Sequence, residues 1–278
     1  MATSVTVKEL DDKPELVNIT KLLGKVELDG TVYSDLIDTT SALSNVLDAL
    51  DGLPTQPPSL YIDLEGENLS REGTVSILQL YVLPTKRTYL IDIHTLRNES
   101  FTAYGSSGRT LKEILESPDI PKVFFDVRND SDALYSHFNI HLAGIQDLQL
   151  MELATRTFAR RHVNGLAKCI ERDGRLSVTE SNDWKECKEK GVRLFAPEHG
   201  GSYKVFNERP LPKEIVRYCI QDVHFLPRLW TFYNRKLTSK WWQRVKVAST
   251  ERVAQSQSTS YVGHGRQKAL APAGWLSL

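Results

Sequence analysis

Three carboxylates follow an apolar run in the stretch LYIDLEGENL, residues 60–69. Asp63, Glu65 and Glu67 occupy alternate positions, and side chains two residues apart lie on one face of a strand. Carboxylates held side by side repel one another and lose hydration when they are buried. The pattern therefore indicates either a solvated strand end or a cation site, in which positive charge offsets the repulsion.

Two more carboxylates stand in comparable positions. Asp130 follows the apolar run PKVFFDV, where a strand gives way to a helix, and Asp222 lies four residues after Tyr218 in RYCIQDVHFLP. Residues four apart share a helix face. Mg²⁺ prefers oxygen ligands, and two such ions about 3.5–4 Å apart activate a water and stabilise the leaving oxygen of a phosphodiester. The acids are suited to that chemistry, and the Tyr218 hydroxyl could orient the attacking water.

The elements that would position these residues follow from hydrophobic periodicity. Apolar side chains at helical spacing predict a helix over 38–50, capped by Asp38 or a following threonine. The runs SLYIDLEG, TVSILQLYVL and TYLIDI have short polar separators, which favours an antiparallel meander. Strand-like and helical runs alternate afterwards, and a late helix is kinked or divided at Pro227. This order predicts one mixed-sheet α/β domain flanked by helices.

Composition divides the chain into three parts. Residues 1–30 show no strong periodicity and are expected to form an irregular N-terminal arm, and residues 31–242 carry the α/β domain. Within that domain, residues 173–212 are polar and include four glycines, three prolines and one tryptophan, which predicts an irregular region or lid. Residues 243–278 hold five basic residues and one acidic residue, and we expect a basic tail that is extended or partly disordered.

The sequence also excludes some classes of protein. It has no apolar run near the roughly 20 residues of a membrane span and no basic segment leading into an apolar signal region. Its three cysteines are widely spaced, which argues against a disulfide framework and suits a reducing compartment. We expect an intracellular protein of the cytoplasm or nucleus, with no choice between the two.

The ordered set of motifs resembles one known family. An apolar strand with Asp-x-Glu, a meander, a strand-to-helix Asp and a late Tyr-x-x-x-Asp are similar to the ribonuclease D-like 3′→5′ exonucleases of the DEDD superfamily, tyrosine subtype. The resemblance covers roughly residues 33–236, with Asp63 and Glu65 in the first motif and Tyr218 and Asp222 in the third. It implies a ribonuclease H-like fold.

The second motif offers two aspartates in NDSDAL. In the family, the catalytic Asp lies five residues past a His that ends the strand, and an apolar residue follows four positions later. Phe125 stands at the His position here, which leads to Asp130 and then to Leu134. Asp132 would instead place Ser136 at the apolar position. The resemblance therefore favours Asp130, and Phe125 is a departure from the family pattern.

The resemblance implies a role for each residue. Asp63, Glu65 and Asp222 would hold one divalent ion, Mg²⁺ or Mn²⁺, and Asp63 would also bridge to a second ion supported by Asp130. Tyr218 would position the attacking water. Glu67 is expected to be a solvated bystander, because the family pattern uses only the first two acids.

The implied activity is hydrolysis at the 3′ end of RNA or single-stranded DNA, with release of nucleoside monophosphates. Two alternatives stay open at this point. One is a catalytically weak or inactive nuclease-fold scaffold that binds nucleic acid, and the other is a two-metal phosphatase or small-nucleotide hydrolase. A protein partner or a homo-oligomer through the C-terminal region is a further possibility that the sequence does not decide.

Overall fold

Six strands form one mixed sheet in the computed structural model, which describes residues 32–275. The strands are β1 (Val32–Ile37), β2 (Leu60–Glu65), β3 (Ile77–Val82), β4 (Arg87–Asp92), β5 (Lys122–Phe124) and β6 (Ile145–Asp147), in the spatial order β1-β4-β3-β2-β5-β6. The predicted arm over residues 1–30 lies outside the described residues.

The pairing of the strands agrees with the predicted meander. β2, β3 and β4 pair in antiparallel fashion, while β1 runs parallel to β4, β5 parallel to β2, and β6 parallel to β5. Parallel pairs need crossover connections, and helical segments lie in the chain between β1 and β4, between β2 and β5, and between β5 and β6. The mixed-sheet α/β fold class predicted from the sequence is confirmed.

Eleven α-helices flank the sheet within the described part of the chain. They are α1 (Thr40–Leu50), α2 (Ile93–Leu96), α3 (Glu99–Thr102), α4 (Leu111–Glu116), α5 (Arg128–Phe138), α6 (Leu148–Ala154), α7 (Leu166–Asp173), α8 (Val178–Phe195), α9 (Lys213–His224), α10 (Leu226–Asn234) and α11 (Ser239–Ser256). The predicted first helix is confirmed, with Thr39 as its cap. Pro227 lies in the first turn of α10, so it starts a second helix rather than kinking one.

The two faces of β2 contribute to different clusters of buried side chains. Leu60, Ile62 and Leu64 pack into the larger hydrophobic core, together with α1, α4 and α5. Tyr61 points to the opposite face and joins a second core with α6, α10 and α11. Because side chains alternate along a strand, Asp63 and Glu65 share the face of Tyr61. Helix α9 packs over β2, β3 and β4 and faces these acids.

Two expectations about the second half of the chain are wrong. Residues 178–195, expected to be irregular, form the 18-residue helix α8. Residues 239–256 form the helix α11, which runs across the expected domain boundary at 242–243 and packs on α5, α6 and β6. The tail prediction failed because α11 buries small and polar side chains such as Ser249 and Arg252, which composition alone scores as solvated.

Within residues 32–275, no helix combines the length and the apolar character that crossing a membrane requires.

Candidate active site

The Asp-x-Glu motif lies at the end of β2. Asp63 pairs across the ladder with Gln79 and Glu65 with Ile77 of β3, while β5 pairs with the beginning of β2 at Leu60 and Tyr61. Gly66 follows directly, and a Cβ there would lie 2.1 Å from the Thr74 carbonyl oxygen. The glycine therefore allows the returning chain to pass close behind the two acids.

Helix α9 adds a third carboxylate from a distant part of the sequence. Carboxylate oxygens of Asp63, Glu65 and Asp222 all lie within 4.8 Å of one another. Burial raises the pKa of Asp63 and of Glu65 well above the usual range, and repulsion by the neighbouring carboxylates raises both further. Burial raises the pKa of Asp222 to about 6, against the lowering effects of Tyr218 and Lys188.

Asp130 is the fourth acid near this group. It lies in the first turn of α5, is 5% exposed, and acts on the pKa of both Asp63 and Glu65 through its charge. Its Oδ1 is buried and has no hydrogen-bond partner among the described residues. Burial raises the pKa of Asp130 to about 7, its own backbone N–H opposes this, and the charge of Asp126 adds to it.

Asp132, the alternative in the second motif, already has a hydrogen-bond donor at each of its two carboxylate oxygens. Its Oδ2 accepts the backbone N–H of Arg71 at 2.8 Å, and its Oδ1 accepts the Arg71 Nε–H at 2.7 Å. The Arg71 guanidinium also donates to the carbonyl oxygens of Ser256 and Ser258. Asp132 therefore ties the C-terminal segment to α5, whereas Asp130 keeps an unpartnered oxygen.

The turn before α5 is fixed by a residue that belongs to no catalytic motif. Asp147, at the end of β6, accepts backbone N–H groups from Asp126 at 3.0 Å and from Val127 at 3.3 Å. Its charge is balanced by Arg252 of α11, whose Nη1 lies 2.7 Å from Asp147 Oδ2. Asp147 also caps α6 through the backbone N–H of Gln149, so its role is structural. Sequence reasoning missed Arg252, because it lies in the segment that was taken for a disordered tail.

Tyr218 is held between α8 and α9. A Cβ on Gly191 of α8 would lie 2.7 Å from Tyr218 Cδ2, so only glycine leaves room for the ring. The Phe195 ring contacts Tyr218 at a centroid distance of 5.0 Å. Burial, followed by the charges of Asp222 and Glu65, raises the pKa of the Tyr218 hydroxyl well above its ordinary value. The hydroxyl therefore stays protonated and can donate to an oxygen at the acids.

Two residues singled out from the sequence lie apart from this group. Glu67 accepts the Asn207 Nδ2–H at 3.3 Å and does not join the three clustered carboxylates. Phe125, at the position where the family carries His, packs against the second hydrophobic core. Its ring thus takes a packing role in place of any polar contact.

The residues present fit a divalent metal. Buried like charges with raised pKa values are destabilised unless a proton or a cation neutralises them. The grouped oxygens of Asp63, Glu65 and Asp222 could hold such an ion, and the unpartnered Oδ1 of Asp130 offers a further oxygen ligand of the type that hard cations prefer.

The comparison with known families agrees with this geometry. A family model described as a 3′-5′ exonuclease matches residues 35–238, which is most of the chain and includes all four acids and Tyr218. The chain belongs to this exonuclease family. The 3′-5′ exonuclease class inferred from the motifs is thereby confirmed. A search of curated protein sequences finds no match.

Solved structures of this exonuclease type share the fold. Ribonuclease D of Trypanosoma brucei in complex with RNA U12 has a TM-score of 0.67 and 19% identity, with 88% of this chain and 77% of that chain covered. The catalytic core of RRP6 from Trypanosoma brucei gives 0.59 and 17%, covering 82% and 54%. Escherichia coli ribonuclease D gives 0.52 and 18%, covering 81% and 51%.

Proposed function

We propose that this exonuclease removes nucleoside monophosphates from the 3′ end of single-stranded RNA or DNA with two divalent ions, Mg²⁺ or Mn²⁺. The observation that carries the proposal is the convergence of Asp63, Glu65 and Asp222 within 4.8 Å beside the buried, unpartnered Oδ1 of Asp130. RNA is the first substrate to test, because the similar structures include ribonuclease D with a bound RNA.

The four acids take different parts in this proposal. Asp63, Glu65 and Asp222 would hold one ion, and Asp63 together with Asp130 would hold the other. Two divalent metal ions placed in this way would activate a water and stabilise the leaving oxygen of the phosphodiester. Tyr218, protonated and adjacent to Asp222, would donate to the attacking water and orient it. Because the acids are grouped on β2, α5 and α9, these elements would hold the geometry fixed before substrate binds.

A labelled single strand tests the proposal. Wild type with Mg²⁺ or Mn²⁺ should release labelled mononucleotide from a 3′-labelled oligouridylate and leave a ladder of shortened products from a 5′-labelled one. EDTA should stop both. Asp63→Asn should lower the rate by at least about 100-fold. Glu67→Gln changes an acid in the turn directly after β2, outside the cluster, and should retain the activity.

The two alternative functions, a nucleic-acid-binding scaffold and a small-nucleotide hydrolase, predict different results in this assay. A scaffold would bind the strand and release no mononucleotide with either metal. A small-nucleotide hydrolase would cleave dinucleotides and leave longer strands intact. Equal activity of the Asp63→Asn and Glu67→Gln variants would show that the acid cluster takes no part in catalysis.

A further inference from the structure

A cavity of about 400 Å³ lies between α7 and α8, and α8 is the helix that packs against α9. Its wall includes Trp184, Lys185, Lys188 and Arg193 of α8, together with the acids Glu171 and Glu189. The α8 helix is locked against α9, because Gly191 meets Tyr218 and the Gln221 Nε2–H donates to the Trp184 carbonyl oxygen at 3.0 Å. The cavity wall is thus carried on the same rigid pair of helices that presents Tyr218 and Asp222.

Lys188 connects the cavity to the acids. Its ammonium lies 5.3 Å from the centroid of the Trp184 ring. Along α8 it stands between Trp184 and Gly191, the two positions that contact Gln221 and Tyr218 of α9. It forms no ion pair with any residue that the structure describes. In contrast, the nearby cations Lys190 and Arg193 are paired with Glu186 at 2.6 Å and with Glu189 at 2.5 Å. Lys188 therefore keeps its charge available for a ligand.

Trp184 contributes a second unused polar group. The side chain is 3% exposed, and its indole Nε1–H is buried with no acceptor among the described residues. A buried donor without a partner is unfavourable, so an acceptor oxygen at this position would stabilise the site. The cavity wall thus holds a lysine that suits a phosphate, next to a largely buried tryptophan whose indole N–H lacks an acceptor.

We propose that this cavity is a subsite for the substrate strand, in which Lys188 contacts a phosphate next to the scissile one and Trp184 supports that lysine. The inference rests on the proposed function, since it takes the ligand to be a nucleic-acid strand whose 3′ end reaches Asp222. Lys188 acts on the bound strand in this proposal and is more than a counter-ion for Asp222.

Strand binding without turnover tests the subsite. The affinity for a 5′-fluorescent oligouridylate is measured by anisotropy in the Asp63→Asn background with Mg²⁺, between 50 and 200 mM salt. Lys188→Met should weaken binding on the order of tenfold and reduce the slope of log affinity against log salt by about 0.7, the contribution of one single-strand phosphate contact. Lys190→Met, a matched change on the same helix, should leave both values unchanged.

Two further binding measurements test the subsite. The loss in Lys188→Met should be equal for oligouridylate and oligoadenylate, because a phosphate contact carries no base preference. Trp184→Phe keeps a ring beside Lys188 and removes the N–H, and it should also weaken binding while the thermal melting curve shows a folded protein. Equal affinity and equal salt slope for Lys188→Met and Lys190→Met would overturn the proposal, as would a change confined to the Mg²⁺ requirement.

The outcomes separate the two proposals. Binding that depends on Lys188 in a protein that never cleaves would refute the proposed exonuclease reaction and keep the subsite. Cleavage by wild type with no effect of Lys188→Met on strand binding would support the exonuclease reaction and refute the subsite.

Discussion

The two aspartates of α5 should respond in opposite ways to the same substitution. Asp130→Asn should abolish turnover and stabilise the metal-free protein, whereas Asp132→Asn should destabilise the protein and retain turnover. The contrast follows from their surroundings, because Asp130 is buried with an unpartnered carboxylate oxygen, whereas Asp132 is paired with Arg71.

The change in the free energy of unfolding expected for Asp130→Asn follows from the pKa of Asp130. The folded state raises it from 3.8 to about 7, so the folded protein binds this proton more tightly than the unfolded chain does. The resulting penalty is absent below pH 4, grows as the pH rises, and is fully present above pH 7. At about 1.36 kcal/mol per pKa unit, it reaches about 4 kcal/mol. Removing the charge at pH 8 should therefore stabilise the metal-free protein by up to that amount.

The loss of stability expected for Asp132→Asn follows from the ion pair between Asp132 and Arg71. The Asp132 side chain is 2% exposed and accepts two N–H groups of Arg71. Breaking a buried pair costs about 3–5 kcal/mol, and we expect the lower end because Arg71 is 23% exposed and keeps two carbonyl acceptors. A loss of about 3 kcal/mol corresponds to a fall in melting temperature of roughly 6–12 °C for a chain of this size.

Two measurements check the pair. Urea unfolding at pH 5 and pH 8 in EDTA gives the stabilities, and release of mononucleotide in Mg²⁺ gives the activities at a temperature where both variants are folded. The gain from Asp130→Asn should be larger at pH 8 than at pH 5. An inactive Asp132→Asn variant of wild-type stability, beside an active Asp130→Asn, would refute the assignment of the second motif.

Three more predictions follow from the site. The Mg²⁺ concentration for half-maximal rate should fall as the pH rises from 6 to 8, because ions bind the deprotonated acids whose pKa values burial has raised; a constant value would contradict this. Gly191→Ala should lower kcat by about 10- to 100-fold through displacement of Tyr218, with no further loss in a Tyr218→Phe background. Arg252→Met should destabilise the protein by about 3 kcal/mol in urea unfolding by removing the ion-pair partner of Asp147, unlike Lys240→Met at an exposed position of the same helix.

The sequence predicted the parts of this molecule whose pattern is local. The β2–β3–β4 meander follows from apolar runs with short separators, and the two acids on β2 follow from alternation along one strand. Helix α8 was missed because only Trp184 and Gly191 of its 18 residues are buried, which leaves almost no apolar stripe to detect. Helix α11 was missed because its buried face includes serines and an arginine. Periodicity therefore fails where tertiary contacts rather than apolar side chains stabilise a helix.

The placement of Asp130 shows why the C-terminal helix matters to the acids. Arg252 neutralises Asp147, Asp147 binds two backbone N–H groups of the turn over residues 126–127, and that turn starts the helix that carries Asp130. The turn includes Asp126 at a φ of 59°, a conformation that a non-glycine residue adopts only when its surroundings hold it there. A carboxylate with raised pKa gains nothing locally from its position beside three others. Its position must therefore be enforced from outside the cluster, and the contacts of Asp147 and Arg252 provide that constraint.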